Sequence, residues 1–176
     1  MITQRLVAVT TVVGAIAGLS LAVQVRAGAD RIAFPEDYAK GVMYLSVDKP
    51  SKQVHEFYAP AAALAAARKG EPMPDGTVIT GVHYNAQLDG DGNPVKGPDG
   101  HFIKTTLRQY AVMQKKAGWG ADYADDVRNG DWEYRIFTAE KKPNDQVKTA
   151  VCFGCHKPEA AHDFVYSYDK LKAVTQ

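Results

Sequence analysis

The longest regular pattern along this chain is an alternation of side chains over residues 77–88. Valine, threonine, tyrosine, alanine and leucine occupy the even positions, and the odd positions include isoleucine, glycine and histidine. A period of two residues is typical of a β-strand, because successive side chains of a strand point to opposite faces of the sheet. Residues 132–137 alternate in the same way and predict a second strand.

Shorter patterns predict the remaining elements. Further strands are expected at residues 43–47, 54–58, 101–109 and 164–168. A helical turn is expected at 34–38, and an alanine-rich helix at 61–69 is bounded by Pro60 and Gly70. This mixture predicts an α+β fold, a single domain rich in antiparallel sheet with a few helices.

The clearest chemical signal lies near the C-terminus, where residues 152–156 have the sequence Cys-Phe-Gly-Cys-His. Cys-x-x-Cys-His is the attachment signature of a c-type haem. Residues three and four apart share one face of a helical turn, so Cys152 and Cys155 can each form a thioether while His156 binds the iron. The motif therefore predicts a helix that attaches one covalent haem c per chain, with redox or gas-binding chemistry.

Two nearby cysteines have other uses, namely a disulfide, a thioredoxin-like redox pair and a zinc site. The redox pair normally opens a helix within a βαβ pattern, which this sequence does not show. Zinc would recruit His162 in addition to the motif, but zinc ligand pairs usually lie about a dozen or more residues apart. The spacing of the three residues of the motif therefore favours haem attachment.

The N-terminus has the composition of a secretory signal. Arg5 precedes an apolar run over residues 6–23, which is followed by cleavable small-residue sites at 25–27 and 27–29. We expect residues 1–27 to be a signal peptide and 28–176 to be the mature domain, exported to the periplasm, where haem c is attached. Because about 18 apolar residues approach the length of a membrane span, an uncleaved anchor is the alternative.

Charge and size narrow the range of partners. The chain has 21 basic and 20 acidic residues, and residues 1–27 contain two arginines and no acid, so the mature chain has 19 basic and 20 acidic residues. This balance does not indicate nucleic acid or an anionic membrane as a partner. The length suits one domain. If both cysteines hold haem, packing and haem binding must stabilise the fold without a disulfide.

The position of the motif bears on the class of cytochrome. Small electron-transfer cytochromes usually carry the motif near the mature N-terminus and use a later methionine as sixth ligand. No methionine follows His156, so that ligand would have to be Met43, Met73 or Met113. Four-helix cytochromes carry the motif near the C-terminus, but the alternation at residues 77–88 has the wrong period for a helix bundle.

Several short motifs occur in a characteristic order. They are Phe-Pro-x-x-Tyr, a Tyr-Ala-Pro step into a helix, Pro-Asp-Gly-Thr-Val, Trp-x-Tyr, and Cys-x-x-Cys-His followed by Lys-Pro, at residues 34–38, 58–60, 74–78, 132–134 and 152–158. Together they resemble cytochrome P-460 and its relative cytochrome c′-beta. The resemblance extends over nearly all of the mature chain.

The resemblance implies an antiparallel β-rich fold, a homodimer, His156 as proximal ligand and an open distal side. It also implies one of two activities: oxidation of hydroxylamine, as in cytochrome P-460, or binding of nitric oxide and carbon monoxide, as in cytochrome c′-beta. A periplasmic redox protein would be the electron partner. The alternative is a simple electron carrier with a six-coordinate haem.

The chain departs from the resemblance at one informative position. In cytochrome P-460 a lysine cross-links to the porphyrin, and a red-shifted Soret band is associated with that modified haem. The corresponding residue here is Gly81, which cannot form the bond. A pocket arginine of the same family corresponds to His55, and Glu140 and Asp145 are the acids available for its distal carboxylate. Hydroxylamine oxidation is therefore not expected to follow from the resemblance.

The same strand position suggests a distal residue. If the face of the strand that contains Gly81 looks at the haem, Ile79 and His83 share that face. His83 could then hydrogen-bond a bound ligand or occupy the sixth position, and His55 is a second distal candidate. The alternative is that both are structural, as lone histidines usually are. We expect His162 to lie on an exposed helix after the motif.

Overall fold

The computed structural model describes residues 31–175, which form a five-stranded antiparallel sheet and three α-helices. The strands follow one another across the sheet in chain order: β1 (Val42–Lys49), β2 (Gln53–Ala59), β3 (Val78–Ala86), β4 (Lys104–Lys115) and β5 (Trp132–Thr138). This architecture confirms the predicted α+β class. The predicted signal peptide, residues 1–27, lies outside the described residues.

The alternating segments lie on strands whose two faces are both covered. On one face, here called the helix face, Trp132 and Tyr134 of β5 belong to the same buried cluster as Leu64. On the opposite face, here called the outer face, Phe137 packs in a second cluster with Ile32. Odd and even residues of one strand therefore contribute to two separate cores, because successive side chains point to opposite faces.

The three helices, α1 (Ala61–Lys69), α2 (Ala150–His156) and α3 (Tyr168–Ala173), each contribute buried side chains to the cluster on the helix face. α1 begins immediately after Pro60 and is terminated by Gly70, the residue after Lys69, whose φ of 74° is in the left-handed region that glycine adopts without strain. These bounds confirm the predicted helix. Within residues 31–175, no helix has the length and apolar composition needed to cross a membrane.

The predicted strand at residues 164–168 is wrong. Asp163 and Phe164 have φ values of 51° and 60°, in the left-handed region, so the chain turns there instead of extending. The backbone N–H groups of Phe164 and Val165 donate to carbonyls of the preceding 3-10 turn, Lys157–His162, rather than to a neighbouring strand. A separate turn at residues 166–167 then leads into the next helix, which begins at Tyr168.

The turn at residues 163–164 is fixed to the sheet by an ion pair. The Asp163 carboxylate accepts hydrogen bonds from Lys115 Nζ at 2.8 and 3.0 Å and from the Met73 backbone N–H at 2.8 Å. The side chains of Lys115 and Asp163 are only 17% and 14% exposed. Because a buried, charge-assisted pair with an additional hydrogen bond has a well-defined geometry, the turn keeps a fixed position relative to β4.

Candidate functional site

A cavity of about 250 Å³ lies between α2 and the helix face of the sheet. Its lining residues are Phe57, Ile79, Gly81, Ala111, Val112, Met113, Tyr134, Arg135, Ile136, Val151, Cys152, Cys155 and His156. Four strands and one helix therefore contribute to one site. The cavity brings the cysteine and histidine motif next to the strand face that contains Gly81.

α2 is a short helix, and one buried aromatic residue positions it. The Phe153 ring packs against Tyr123 and Tyr134, with centroid distances of 4.7 and 4.9 Å. Its carbonyl accepts a hydrogen bond from the buried Asn129 side chain at 3.0 Å. Because Phe153 is held in the core, the helical period places the two cysteines and the histidine of the motif along the cavity.

The imidazole of His156 is held with one nitrogen available for a metal. Its Nδ1 lies 2.7 Å from the carbonyl oxygen of Phe164, and because a carbonyl only accepts, Nδ1 bears the proton. Burial lowers the pKa of His156, while the hydrogen bond to Phe164 acts in the opposite direction. The neutral ring therefore presents an unprotonated Nε2, the state in which histidine binds a metal.

The donor set at the cavity fits a covalently attached haem. Both thiols are free, with Cys152 half-buried and Cys155 exposed, and both line the cavity together with His156. Burial raises the pKa of Cys152, so this sulfur is a neutral thiol at pH 7. Across residues 31–175, no group of three or more His, Cys, Asp or Glu side chains is arranged to hold a metal ion.

The sheet wall of the cavity has no side chain at Gly81. Gly81 and Ile79 both line the cavity, as expected for alternate residues of one strand. A Cβ atom at Gly81 would lie 3.1 Å from Phe57 Cε1 and 3.2 Å from His83 Nε2, closer than ordinary van der Waals contacts. Glycine therefore leaves this space to the Phe57 ring and the His83 imidazole.

His55 and His83 form a stacked pair at the edge of the cavity. They face each other across β2 and β3, with ring centroids 3.5 Å apart and ring planes within 1° of parallel. The described part of the cavity lining contains neither histidine. His83 Nε2 nevertheless lies beside Gly81, which is a lining residue. A distal role for either histidine stays a prediction.

Both histidines of the stacked pair are neutral at pH 7. Burial lowers the pKa of His83 to about 3, and the neighbouring His55, Lys49 and Arg108 act in the same direction. Burial also lowers the pKa of His55 to about 4, with Lys49 and Arg108 as further causes. Protonation of either ring would therefore destabilise the folded state.

The two depressed pKa values predict a loss of stability in acid. Because they lie below the unfolded value of about 6.5, the pair stabilises the fold above pH 6.5 and loses this contribution as the pH falls towards 4 and then 3. Between pH 7 and pH 5, the free energy of unfolding should fall by on the order of 2 kcal/mol more than in the H55Q/H83Q variant, after allowance for solvent screening at half-exposed His55. Urea denaturation at pH 7 and at pH 5 measures the free energy of unfolding of each protein. An equal fall in the wild type and in the H55Q/H83Q variant would contradict the prediction.

Most other candidates from the sequence lie away from the cavity. Asp145 pairs with Arg135 at 3.6 Å and is largely exposed, and Glu140 is exposed beside Thr138. Neither acid lines the cavity among the described residues. His162 is half-exposed and belongs to the 3-10 turn after the motif, near the predicted position. Of the three methionines considered, Met113 is the one in the lining.

A larger cavity, of about 460 Å³, lies on the outer face. Aromatic side chains of Phe34, Tyr38 and Tyr58 surround it, with Glu36 and Asp37 at its edge. No cysteine or histidine of the described residues lines it. The smaller cavity, which contains the residues of the motif, is therefore the candidate site, although it is not the larger of the two.

Two groups in contact with the site could not be predicted from any pattern in the sequence. These are the carbonyl of Phe164 on His156 and the amide of Gln109, whose Nε2 lies 3.2 Å from His83 Nδ1. Tyr134, by contrast, has a detectable signal, because the alternation at residues 132–137 defines the face on which it lies. Its ring centroid is 4.7 Å from that of His156.

Comparison with known families and proteins gives one informative match. A family model described as Cytochrome P460 matches residues 35–167, a range that includes every residue of the cavity lining. The search of curated proteins finds no match.

Proposed function

This chain belongs to the cytochrome P460 family, and we propose on that basis that it is a periplasmic c-type haem protein that binds a small nitrogen oxide or a diatomic gas. Membership of the family implies a haem cofactor. The covalent attachment, the ligand class and the location are our proposals. Nitric oxide is the ligand that we favour.

The observation that carries the proposal is that all three residues of the motif line one apolar cavity. Cys152 and Cys155 would supply the two thioethers, and His156 would bind the iron through Nε2, because its Nδ1 already donates to Phe164. A haem held there supplies an iron that binds small ligands and exchanges single electrons.

The sheet wall of the cavity favours a small, uncharged ligand. Phe57, Ile79 and Ala111 have no side-chain hydrogen-bonding groups, and Gly81 has no side chain at all. An apolar wall of this kind does not compensate a charged substrate for the loss of its hydration. A neutral diatomic molecule therefore suits the site better than a large or charged one.

Met113 favours a second candidate function. Its side chain is 8% exposed and lines the same cavity as His156. A thioether on the iron would make the haem six-coordinate, as in a simple electron carrier. Coordination by Met113 would leave no free coordination position on the iron for a gas ligand.

The optical spectrum of the reduced protein separates the two functions. We expect a five-coordinate, high-spin ferrous spectrum that changes when nitric oxide is added. The Met113→Leu variant should keep this spectrum, because the substitution nearly conserves volume in the cavity wall. Met73→Leu is the matched control, since Met73 is buried outside the lining. A low-spin spectrum that Met113→Leu converts to high-spin would support the electron carrier instead.

The proposal includes export, pairing and electron exchange. Haem c attachment outside the cytoplasm agrees with the apolar run at residues 6–23. The resemblance to cytochrome P-460 supports a homodimer and a periplasmic redox protein as the electron partner. The near balance of acidic and basic residues gives no support to a nucleic-acid partner.

A further inference from the structure

Two glutamines fix the protons of the stacked histidines. Gln53 Oε1 lies 3.0 Å from His55 Nε2, and because this oxygen only accepts, His55 donates from Nε2. Gln109 Nε2 lies 3.2 Å from His83 Nδ1, and because an amide nitrogen only donates, His83 accepts at Nδ1. A neutral His83 therefore has its proton on Nε2.

The sheet register places these side chains in one row. His83 is opposite His55 on β2 and opposite Gln109 on β4. The pairing of β3 with β4 shifts immediately after His83, and such irregularities redirect side chains. Rotation of the His83 ring would break both its stacking on His55 and its contact with Gln109, so its orientation is determined from two sides.

The Nε2 atom of His83 lies beside Gly81 of the cavity wall. A Cβ atom at Gly81 would lie 3.2 Å from this nitrogen, and within residues 31–175 its N–H group has no protein hydrogen-bond partner. Gly81 lines the cavity. An unpaired donor therefore lies at the edge of an apolar site, where a hydrogen bond is stronger than in water.

We propose that Gln109 is a positioning residue, which holds His83 as the Nε2–H tautomer so that His83 donates a hydrogen bond to the oxygen atom of a nitrogen-oxide ligand. This inference rests on the proposed function and names the group that selects the ligand. The oxygen of nitric oxide bound to a reduced iron accepts such a bond, whereas carbon monoxide is a poorer acceptor. Gln109 and His83 together therefore favour the binding of nitric oxide over that of carbon monoxide.

Loss of the amide donor has a defined chemical consequence. The burial that lowers the pKa of His83 keeps the ring neutral, so the ring has one proton to distribute between two nitrogens. Without Gln109, that proton is free to move to Nδ1. Nε2 would then present a lone pair to the cavity, which repels an oxygen atom instead of binding it.

The test uses the reduced holoprotein and two matched variants. Gln109→Met removes the amide and keeps the length of the side chain, and Gln53→Met makes the same change beside His55. With nitric oxide as the probe, Gln109→Met should release the ligand about three- to tenfold faster, the effect of one lost hydrogen bond. The N–O stretching frequency should rise in this variant. Neither quantity should change in Gln53→Met, and the release of carbon monoxide should be unaffected in both.

A double-mutant cycle tests whether Gln109 acts through His83. His83→Phe keeps an aromatic ring for stacking and removes the N–H group. In the His83→Phe background, Gln109→Met should produce no further change in the N–O stretching frequency, because the residue that it positions is gone. A further change of the same size as in the wild-type background would overturn the inference.

Nitrogen-15 NMR of the histidine-labelled, reduced protein reports the tautomer directly. The carbon monoxide complex is suitable, and so is the ligand-free protein if it is six-coordinate and low-spin, since both are diamagnetic. We expect a protonated Nε2 on His83 in the wild type and loss of this preference in Gln109→Met. A protonated Nδ1 in the wild type overturns this inference alone, whereas failure to bind nitric oxide overturns the proposed function.

Discussion

A variant that combines Cys152→Ser with Cys155→Ser should lose covalently bound haem completely. Each thiol supplies one thioether, and serine oxygen does not form the corresponding link. Each single variant should keep one link and retain less haem than the wild type. Haem staining of denaturing gels measures this directly, because only haem that is covalently attached migrates with the polypeptide.

The same helix offers two controls. Gly154→Ser places a serine between the two cysteines, where a Cβ atom would have no neighbour within 4 Å, so its haem stain should equal that of the wild type. His156→Ala should keep both links and the stain but lose the proximal ligand, and its optical spectrum should therefore change. Unchanged stain in the double serine variant would show that these cysteines do not attach haem.

The purified protein should contain no third covalent link between haem and polypeptide, and it should oxidise hydroxylamine poorly or not at all. By the resemblance of the sequence motifs, the position of the cross-linking lysine of cytochrome P-460 is expected to be Gly81 here, which has no side chain. A Cβ atom there would already be in close contact with Phe57 and His83. The ferrous protein should therefore lack the red-shifted Soret band that is associated with the cross-linked haem.

Mass spectrometry of a proteolytic digest tests the missing link. The peptide that contains Cys152 and Cys155 should bear the haem mass and is the internal control within the same digest. A haem-bearing peptide from β3 would show that the correspondence at Gly81 is wrong. Steady-state oxidation of hydroxylamine at an ordinary enzymatic rate, about 1 per second or more, would contradict the predicted loss of activity.

Elements with local signals could be predicted from the sequence. The alternation at residues 77–88 identifies β3, and Pro60 and Gly70 define the bounds of α1. The apolar segment at 164–168 has a composition that suits a strand, yet it contains a turn. Asp163 and Phe164, at the start of this segment, adopt positive φ, and the ion pair between Lys115 and Asp163 holds this turn. A constraint between distant residues leaves no mark on the local pattern.

The candidate site also contains some features that follow from local sequence patterns and others that do not. The helical spacing of Cys152, Cys155 and His156 and the face of Gly81 both follow from periodicity, so the sequence predicts that these residues lie close together, and all four line the cavity. The contact of Gln109 with His83 depends on the register between β3 and β4. That register is set across residues 87–103, and a strand pattern defines faces but not which residues of two strands are opposite.

The turn at residues 163–164 has an electronic consequence for the site. Held by Lys115 and by the Met73 N–H, it presents the Phe164 carbonyl to His156 at 2.7 Å. Donation from Nδ1 increases the basicity of the imidazole, so Nε2 would give more electron density to an iron bound there. Greater donation stabilises the ferric state relative to the ferrous state and lowers the reduction potential. Through one ion pair, Lys115 of β4 would thereby lower the reduction potential of an iron bound to His156.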